Sequence, residues 1–316
     1  MLTRGYLAIV YVSSSKESIL GPLLTLSRSL KGIRGTVLAH SFRDEHYNRT
    51  SFFLVDTDGA NLANSAAQLY ESVTSSLNFR DHRGSHPTLG VCDHVTFCPL
   101  RSEGKEASNG NGAVRENDDA VILTSAIAKD FMAQISPIAS VFGYGAASKS
   151  NAALATIRRR LGYFSQVTND EDCVYDPEDL KTRVRECVAN VGDDEKSFSF
   201  YEDSLRELNS NVGVTCVGAI PYIMNFNVKF IDSSDVRLVK KITKAVRELD
   251  SVEALTLKQG EAYEVACNLK NPRAMGPDSV LRVCEEQAKE LALTITDSYT
   301  TGPTEKGLID ILESTD

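Results

Sequence analysis

One stretch of this chain gathers most of its chemistry. Arg80-Asp81-His82-Arg83-Gly84-Ser85-His86-Pro87-Thr88-Leu89-Gly90-Val91-Cys92-Asp93-His94 sets basic, acidic and imidazole side chains between apolar runs. All five histidines fall between His40 and His94. Imidazole is the side chain whose ordinary pKa lies near neutrality, so a rigidly held one can take a proton from an amine or hydroxyl and return it. Rigidity is available here. Gly84 and Pro87 oppose helix, and the proline pushes His86 toward extended backbone, so the segment reads as a shaped loop. The plainer reading of His86 is a turn residue bonded to backbone; the arginines on one side and Asp93 on the other favour a site. Asp93 then either orients an imidazole, counters a positive group, or braces the loop as a salt bridge.

The spacing His-x-Gly-x-His-Pro-x-x-Gly-x-x-Asp, from His82 to Asp93, resembles the signature of the formiminotransferase family, folate-dependent transferases of one-carbon metabolism. Further pieces stand in matching order. They are Asn48-Arg49-Thr50, Tyr144-Gly145, Ile157-Arg158-Arg159-Arg160-Leu161-Gly162-Tyr163-Phe164, Val217-Gly218-Ala219, Asn225-Phe226-Asn227-Val228 and Val265-Ala266-Cys267-Asn268-Leu269. The likeness spans nearly the whole chain and is greatest to the stand-alone plant-type branch, which lacks a cyclodeaminase domain.

The resemblance implies a two-subdomain fold and transfer of a formimino or formyl group between a glutamate derivative and tetrahydrofolate, the co-substrate. His86 takes the place of the catalytic base, with Asp93 beside it. Carboxylates of the glutamate and of the folate tail suit planar guanidinium forks. Arg49, Arg80 and Arg83 are the candidates for that work. Asn48 and Asn268 are amide partners for the pterin or the amidine, and His82 and Gly84 complete the binding set. Arg158-Arg159-Arg160 reads as a helix end near solvent.

Departures from the family pattern are concentrated in the binding cradle. Val12-Ser13-Ser14-Ser15-Lys16-Glu17 stands where members commonly carry Pro-Asn-Phe-Ser-Glu-Gly, and Thr88 stands where they carry arginine. Tyr201-Glu202-Asp203-Ser204-Leu205-Arg206 replaces a Pro-Asp-x-Gly-Pro segment, and the strand end before Asn48 reads His40-Ser41-Phe42-Arg43-Asp44. The base is kept while its surroundings change. A catalytically weak or inactive folate-binding or scaffold relative is therefore the alternative function.

At 316 residues, 42% hydrophobic and 24% charged, the chain is an ordinary globular protein able to bury a sizeable core. No apolar run approaches the roughly 20 residues a membrane span needs. A short apolar start without a cleavage region points to a cytoplasmic setting, with peripheral attachment to an organelle surface left open. Seven cysteines without a C-x-x-C pair point to buried thiols, and no metal is expected. Of the net charge of −9, the segment from Asp170 to Asp203 supplies nearly all, with twelve acids against four basic residues. Such a balance speaks against a nucleic-acid surface, while small anionic ligands and a homodimer remain compatible with it.

Apolar periodicity predicts the order strand, helix, strand, strand, helix, strand twice along the chain. This is an α+β architecture of two tandem ferredoxin-like (βαββαβ) subdomains, each sheet with helices on one face. The expected boundaries are 1–165 for the first subdomain, with a glycine-rich insertion at 102–118, then 166–212 for an acidic connector and 213–316 for the second.

Overall fold

The computed structural model describes residues 3–101, 119–166, 176–189, 200–231 and 235–315. The insertion at 102–118 lies outside them, as do 167–175 and 190–199 of the expected connector. Two compact units emerge, the first running to Ile220 and taking in the chain again from Gly307, the second spanning Pro221–Lys306.

The first unit begins with β1 (Thr3–Val12), α1 (Glu17–Arg34), β2 (Val37–Asp44), β3 (Arg49–Asp56), α2 (Gly59–Ser76) and β4 (Cys92–Arg101). These four strands lie in the order β2-β3-β1-β4, all antiparallel, which is the ferredoxin-like arrangement. The chain continues through α3 (Asp119–Ile135), β5 (Ser140–Gly145), α4 (Leu154–Arg160), α5 (Pro177–Ala189) and β6 (Val214–Ala219). β6 inserts between β4 and β5, parallel to both, and widens the sheet to six strands. The strand placed by sequence at the head of the second subdomain thus completes the first sheet.

Burial explains why the segments settle there. Every residue of β6 is buried, as suits a strand covered on both faces. Leu62, Ala66, Leu69, Tyr70 and Val73 of α2, with Ala128, Phe131 and Ile135 of α3, pack on the sheet through Ala8, Val10, Phe52, Leu54, Val95 and Phe97. The described part of the acidic connector is not a free linker. Leu180, Val184 and Cys187 of α5 and Phe200 join this same core, and Phe200 meets Phe142 edge-on.

The second unit comprises β7 (Met224–Ile231), α6 (Val236–Val246), β8 (Val252–Gln259), β9 (Ala262–Leu269), α7 (Pro277–Leu291) and β10 (Thr294–Thr300). Its sheet order, β10-β7-β9-β8, repeats the ferredoxin-like pattern. Val239, Ile242 and Val246 of α6 and Val280, Cys284 and Ala288 of α7 supply its buried helical faces. The closing helix, α8 (Glu305–Glu313), buries Leu308, Ile309 and Leu312. Among the described residues no helix is long and apolar enough to cross a membrane, and no group of three or more His, Cys, Asp or Glu side chains is placed to hold a metal ion.

Candidate active site

A break in strand pairing builds the centre of the site. Tyr11 of β1 pairs with His94 of β4, but the next partner of the ladder is Val12 with Cys92, so Asp93 is an extra residue. A bulge of this kind re-aims side chains that regular alternation would send to opposite faces. Asp93 and His94 are consequently brought together, with His94 Nδ1 2.9 Å from Asp93 Oδ2. Asp93 also accepts the Leu89 amide at 3.1 Å through Oδ1, tying the bulge to the end of the His-Pro loop.

Two arginines from separate elements converge on this carboxylate. Arg158, at the end of α4, donates to Asp93 Oδ2 through Nη2, and Arg49, at the start of β3, lies 3.7 Å from the same oxygen. Their guanidinium nitrogens also crowd His94 Nδ1, at 3.0 Å for Arg158 and 3.3 Å for Arg49. An ionised carboxylate only accepts, so Nδ1 of His94 carries the hydrogen and donates to Asp93. Aromatic rings wall the cluster. Arg49 lies 4.4 Å over the Tyr11 ring, Arg158 4.3 Å over Tyr163, and Tyr11 stacks on His94 at 4.0 Å.

His86 faces the same group. Its Nδ1 is 2.8 Å from the Pro87 carbonyl, which can only accept, so the hydrogen sits on Nδ1 and the lone pair on Nε2. Arg49 Nη1 lies 3.0 Å from Nε2 and 3.2 Å from Nδ1, nearly equidistant from the two nitrogens, which sets the guanidinium against the ring out of its plane. The Tyr47 ring, 5.2 Å away, and the Tyr163 ring, at 6.2 Å, complete its surroundings. The loop approaches closely enough to need a glycine, because a Cβ on Gly84 would lie 2.6 Å from the Tyr47 carbonyl oxygen.

Burial and the arginines set the protonation states. Burial alone would raise the Asp93 carboxyl, but Arg158, His94 and Arg49 outweigh it and hold it well below the usual carboxylate range. Burial, then Arg49 and Arg158, push His86 well below the ordinary histidine value. Burial and Arg158 likewise bring His94 down to about 3, against the opposing pull of Asp93. Both imidazoles are neutral at pH 7. The described cluster therefore sets two guanidinium charges against the one carboxylate of Asp93, an excess of positive charge that suits an anionic ligand.

These shifts have a consequence for stability. His94 titrates near 3 when folded and near the ordinary 6.5 when unfolded, so the unfolded chain alone binds this proton between those values. The contribution is present in full above pH 6.5 and is lost as pH falls toward 3. Urea unfolding is expected to show stability falling by up to about 1.4 kcal/mol per pH unit for each such histidine below that point. His94→Gln should reduce the slope; an unchanged slope would show that His94 is not held neutral.

The other sequence candidates are spread over several roles. Asn48, at φ 47°, accepts from the Ser15 amide at 2.8 Å and hydroxyl at 3.0 Å and donates to the Arg83 carbonyl at 2.8 Å, so its amide shapes the loops. Arg83 is exposed and donates back to the carbonyls of Arg80 and His82, at 3.0 and 2.6 Å. Arg80 is exposed as well. His82 is buried with Nδ1 3.0 Å from the Ser13 carbonyl, and with Asn48 it borders a separate cavity of about 110 Å³. Asn268 stands on β9 of the second unit, exposed, accepting from Asn225 at 2.6 Å. Thr88 is buried, its hydroxyl 2.8 Å from that of Ser13 and donating to the Gly90 carbonyl at 3.1 Å.

Arg158 corrects the expectation of a solvent-facing helix end, since its side chain is only 14% exposed. It answers the buried charge of Asp93, while its neighbours Arg159 and Arg160 stay exposed. His94, Tyr11 and Tyr163 also belong to the cluster without having been assigned a role. His94 follows directly on Asp93 in sequence, and regular strand alternation would send the two to opposite faces.

A family model described as "Formiminotransferase domain, N-terminal subdomain" matches residues 6–220. Its end coincides with Ile220, where the chain passes from the first compact unit to the second. The chain is 28% identical over 313 residues to "Formiminotransferase cyclodeaminase-like protein" of Arabidopsis thaliana, covering 95% of this chain and 94% of that one. It is 21% identical over 310 residues to "Glutamate formimidoyltransferase" of Streptococcus pyogenes serotype M1, covering 96% and 90%. A structural alignment with the periplasmic protease PqqL of Escherichia coli spans 98% of this chain and 35% of that one at 9% identity, and its TM-score of 0.18 carries no argument.

Proposed function

This chain belongs to the formiminotransferase family, and from that premise we propose that it moves a formimino or formyl group between a glutamate derivative and tetrahydrofolate, with His86 as general base. One observation carries the reading. The lone-pair nitrogen of a neutral His86 stands 3.0 Å from Arg49, which shares the carboxylate of Asp93 with Arg158.

In the forward direction a folate nitrogen attacks the amidine carbon of the donor, and the bond from that carbon to the glutamate nitrogen breaks. The attacking nitrogen must lose a proton and the glutamate nitrogen must gain one. His86 Nε2 takes the first proton and supplies the second, so one tunable base serves both steps. Arg49 and Arg158 hold a carboxylate of the donor or of the folate tail, which balances the positive excess of the cluster. Asp93 keeps Arg158 in place. Tetrahydrofolate enters as a co-substrate, and no step calls for a metal.

A second reading, a folate-binding relative without turnover, draws on Thr88, whose inward hydroxyl offers no carboxylate anchor. Single-turnover assays with tetrahydrofolate should separate the two. Transfer from formiminoglutamate or formylglutamate supports the enzyme, whereas saturable folate binding with no transfer from either donor supports the scaffold.

A further inference from the structure

The distances around Arg49 are uneven. Its Nη2 is 3.7 Å from Asp93 Oδ2, the oxygen to which Arg158 donates directly, while its Nη1 rests against both nitrogens of His86 at 3.0 and 3.2 Å. Among the described residues its buried Nε meets no hydrogen-bond acceptor. A guanidinium has five N–H donors and no acceptor, so a neutral imidazole is a poor partner compared with an ionised carboxylate. Arg49 is thus held with its charge against the base while part of its own donor set stays unused.

We propose that Arg49 is a latch on His86 which a carboxylate-bearing ligand releases, so that the substrate frees the base that acts on it. The inference rests on the reading above, in which His86 is the base and a ligand carboxylate enters the arginine pair. When such a carboxylate arrives, Arg49 turns its fork to it, Nη1 leaves the imidazole, and Nε2 is opened to the attacking amine. The ligand's negative charge also offsets the guanidinium that disfavours a second proton on the ring. An uncharged analogue would meet the base still covered. This makes the carboxylate a requirement for chemistry as well as for binding, a form of specificity in which binding energy assembles the site.

The groups that face His86 allow this assignment. Arg49 comes from β3, Arg158 from α4, Asp93 from β4, and the Tyr47 and Tyr163 rings from the loops beside it. Arg158 is committed to Asp93, and Asp93 is committed to Arg158, His94 and the Leu89 amide. Arg49, 3.7 Å from Asp93 Oδ2, is the arginine of the pair less tightly bound to that carboxylate. With Arg49 displaced, burial and Arg158 remain as the influences that lower His86, and Asp93 and the Pro87 carbonyl as those that raise it.

The test uses the intact chain labelled in its histidines and glutarate, a dicarboxylate with no group to transfer. His86 is identified by the resonance lost in H86Q, and its protonation is followed by NMR against pH, with and without saturating glutarate. The expected result is an upward shift of the His86 midpoint by one pH unit or more with glutarate, which by linkage means glutarate binds about tenfold more tightly to the protonated form. Arg49→Gln should raise the midpoint without glutarate and abolish the response; Arg49→Lys should retain part of it. Glutarate that binds by calorimetry but leaves the wild-type midpoint unmoved overturns the latch, and so does failure of glutarate to bind. Because no turnover is read, a shift in a chain that never transfers a formimino group leaves the latch standing and removes the enzymatic reading alone.

Discussion

Alanine in place of His86 is expected to lower the rate of formimino transfer by about a hundredfold or more while leaving the fold intact. A positioned base is commonly worth 10²–10⁴ in rate. His86 is only half-buried, and its ring meets Tyr47 and Tyr163 at centroid distances of 5.2 and 6.2 Å, so little packing depends on it. His82→Ala should behave in the opposite way. That ring is 6% exposed, stacks on Phe79 and pairs with the Ser13 carbonyl, so its loss should lower the unfolding midpoint more than the rate. Single-turnover kinetics and urea unfolding on both variants check the pair, and a fully active, folded H86A protein would remove His86 from the chemistry.

How much of this could be read in the sequence differs between fold and site. Two βαββαβ cores were legible because their strands are short apolar or alternating runs and their helices carry one apolar face, signals that are local. β6 was misplaced for a physical reason. Val214 to Ala219 carries only small or apolar side chains without alternation, as a strand buried on both faces does, and such a run shows no preference for either neighbour. Only its parallel pairing with β4 and β5, far away in sequence, decides the matter.

In the site, His86 and Asp93 were nominated by residue type and motif, and the structure brings both to one cluster with Arg49. Their partner Arg158 was missed because its neighbours are also arginines. Nothing in a run of three tells which one turns inward. The meeting of Asp93 with His94 depends on a one-residue bulge, and a bulge is a property of two strands in register, invisible in either strand alone. For Asn48, nominated as an amide partner for the ligand, the structure adds a role the sequence did not signal: at positive φ its three bonds to neighbouring loops shape the chain.

Asp93→Asn is expected to be the most destabilising conservative change in the cluster. The Asp93 side chain is 2% exposed and that of Arg158 14%, so neither charge can be passed to solvent when the other is lost. An asparagine keeps the shape but leaves Arg158 and Arg49 as two buried like charges, and it turns either a neutral oxygen or an N–H donor toward them. Breaking a buried pair by removing one partner costs about 3–5 kcal/mol, because the remaining charge keeps its full desolvation penalty. Removing both charges is far less costly, since the penalty goes with them. The double variant Asp93→Asn with Arg158→Met should therefore recover much of the loss in urea unfolding, leaving Arg49 as the remaining cation of the cluster. If the double variant is as unstable as the two single changes added together, Asp93 and Arg158 are not coupled, and the charge balance assigned to this site is wrong.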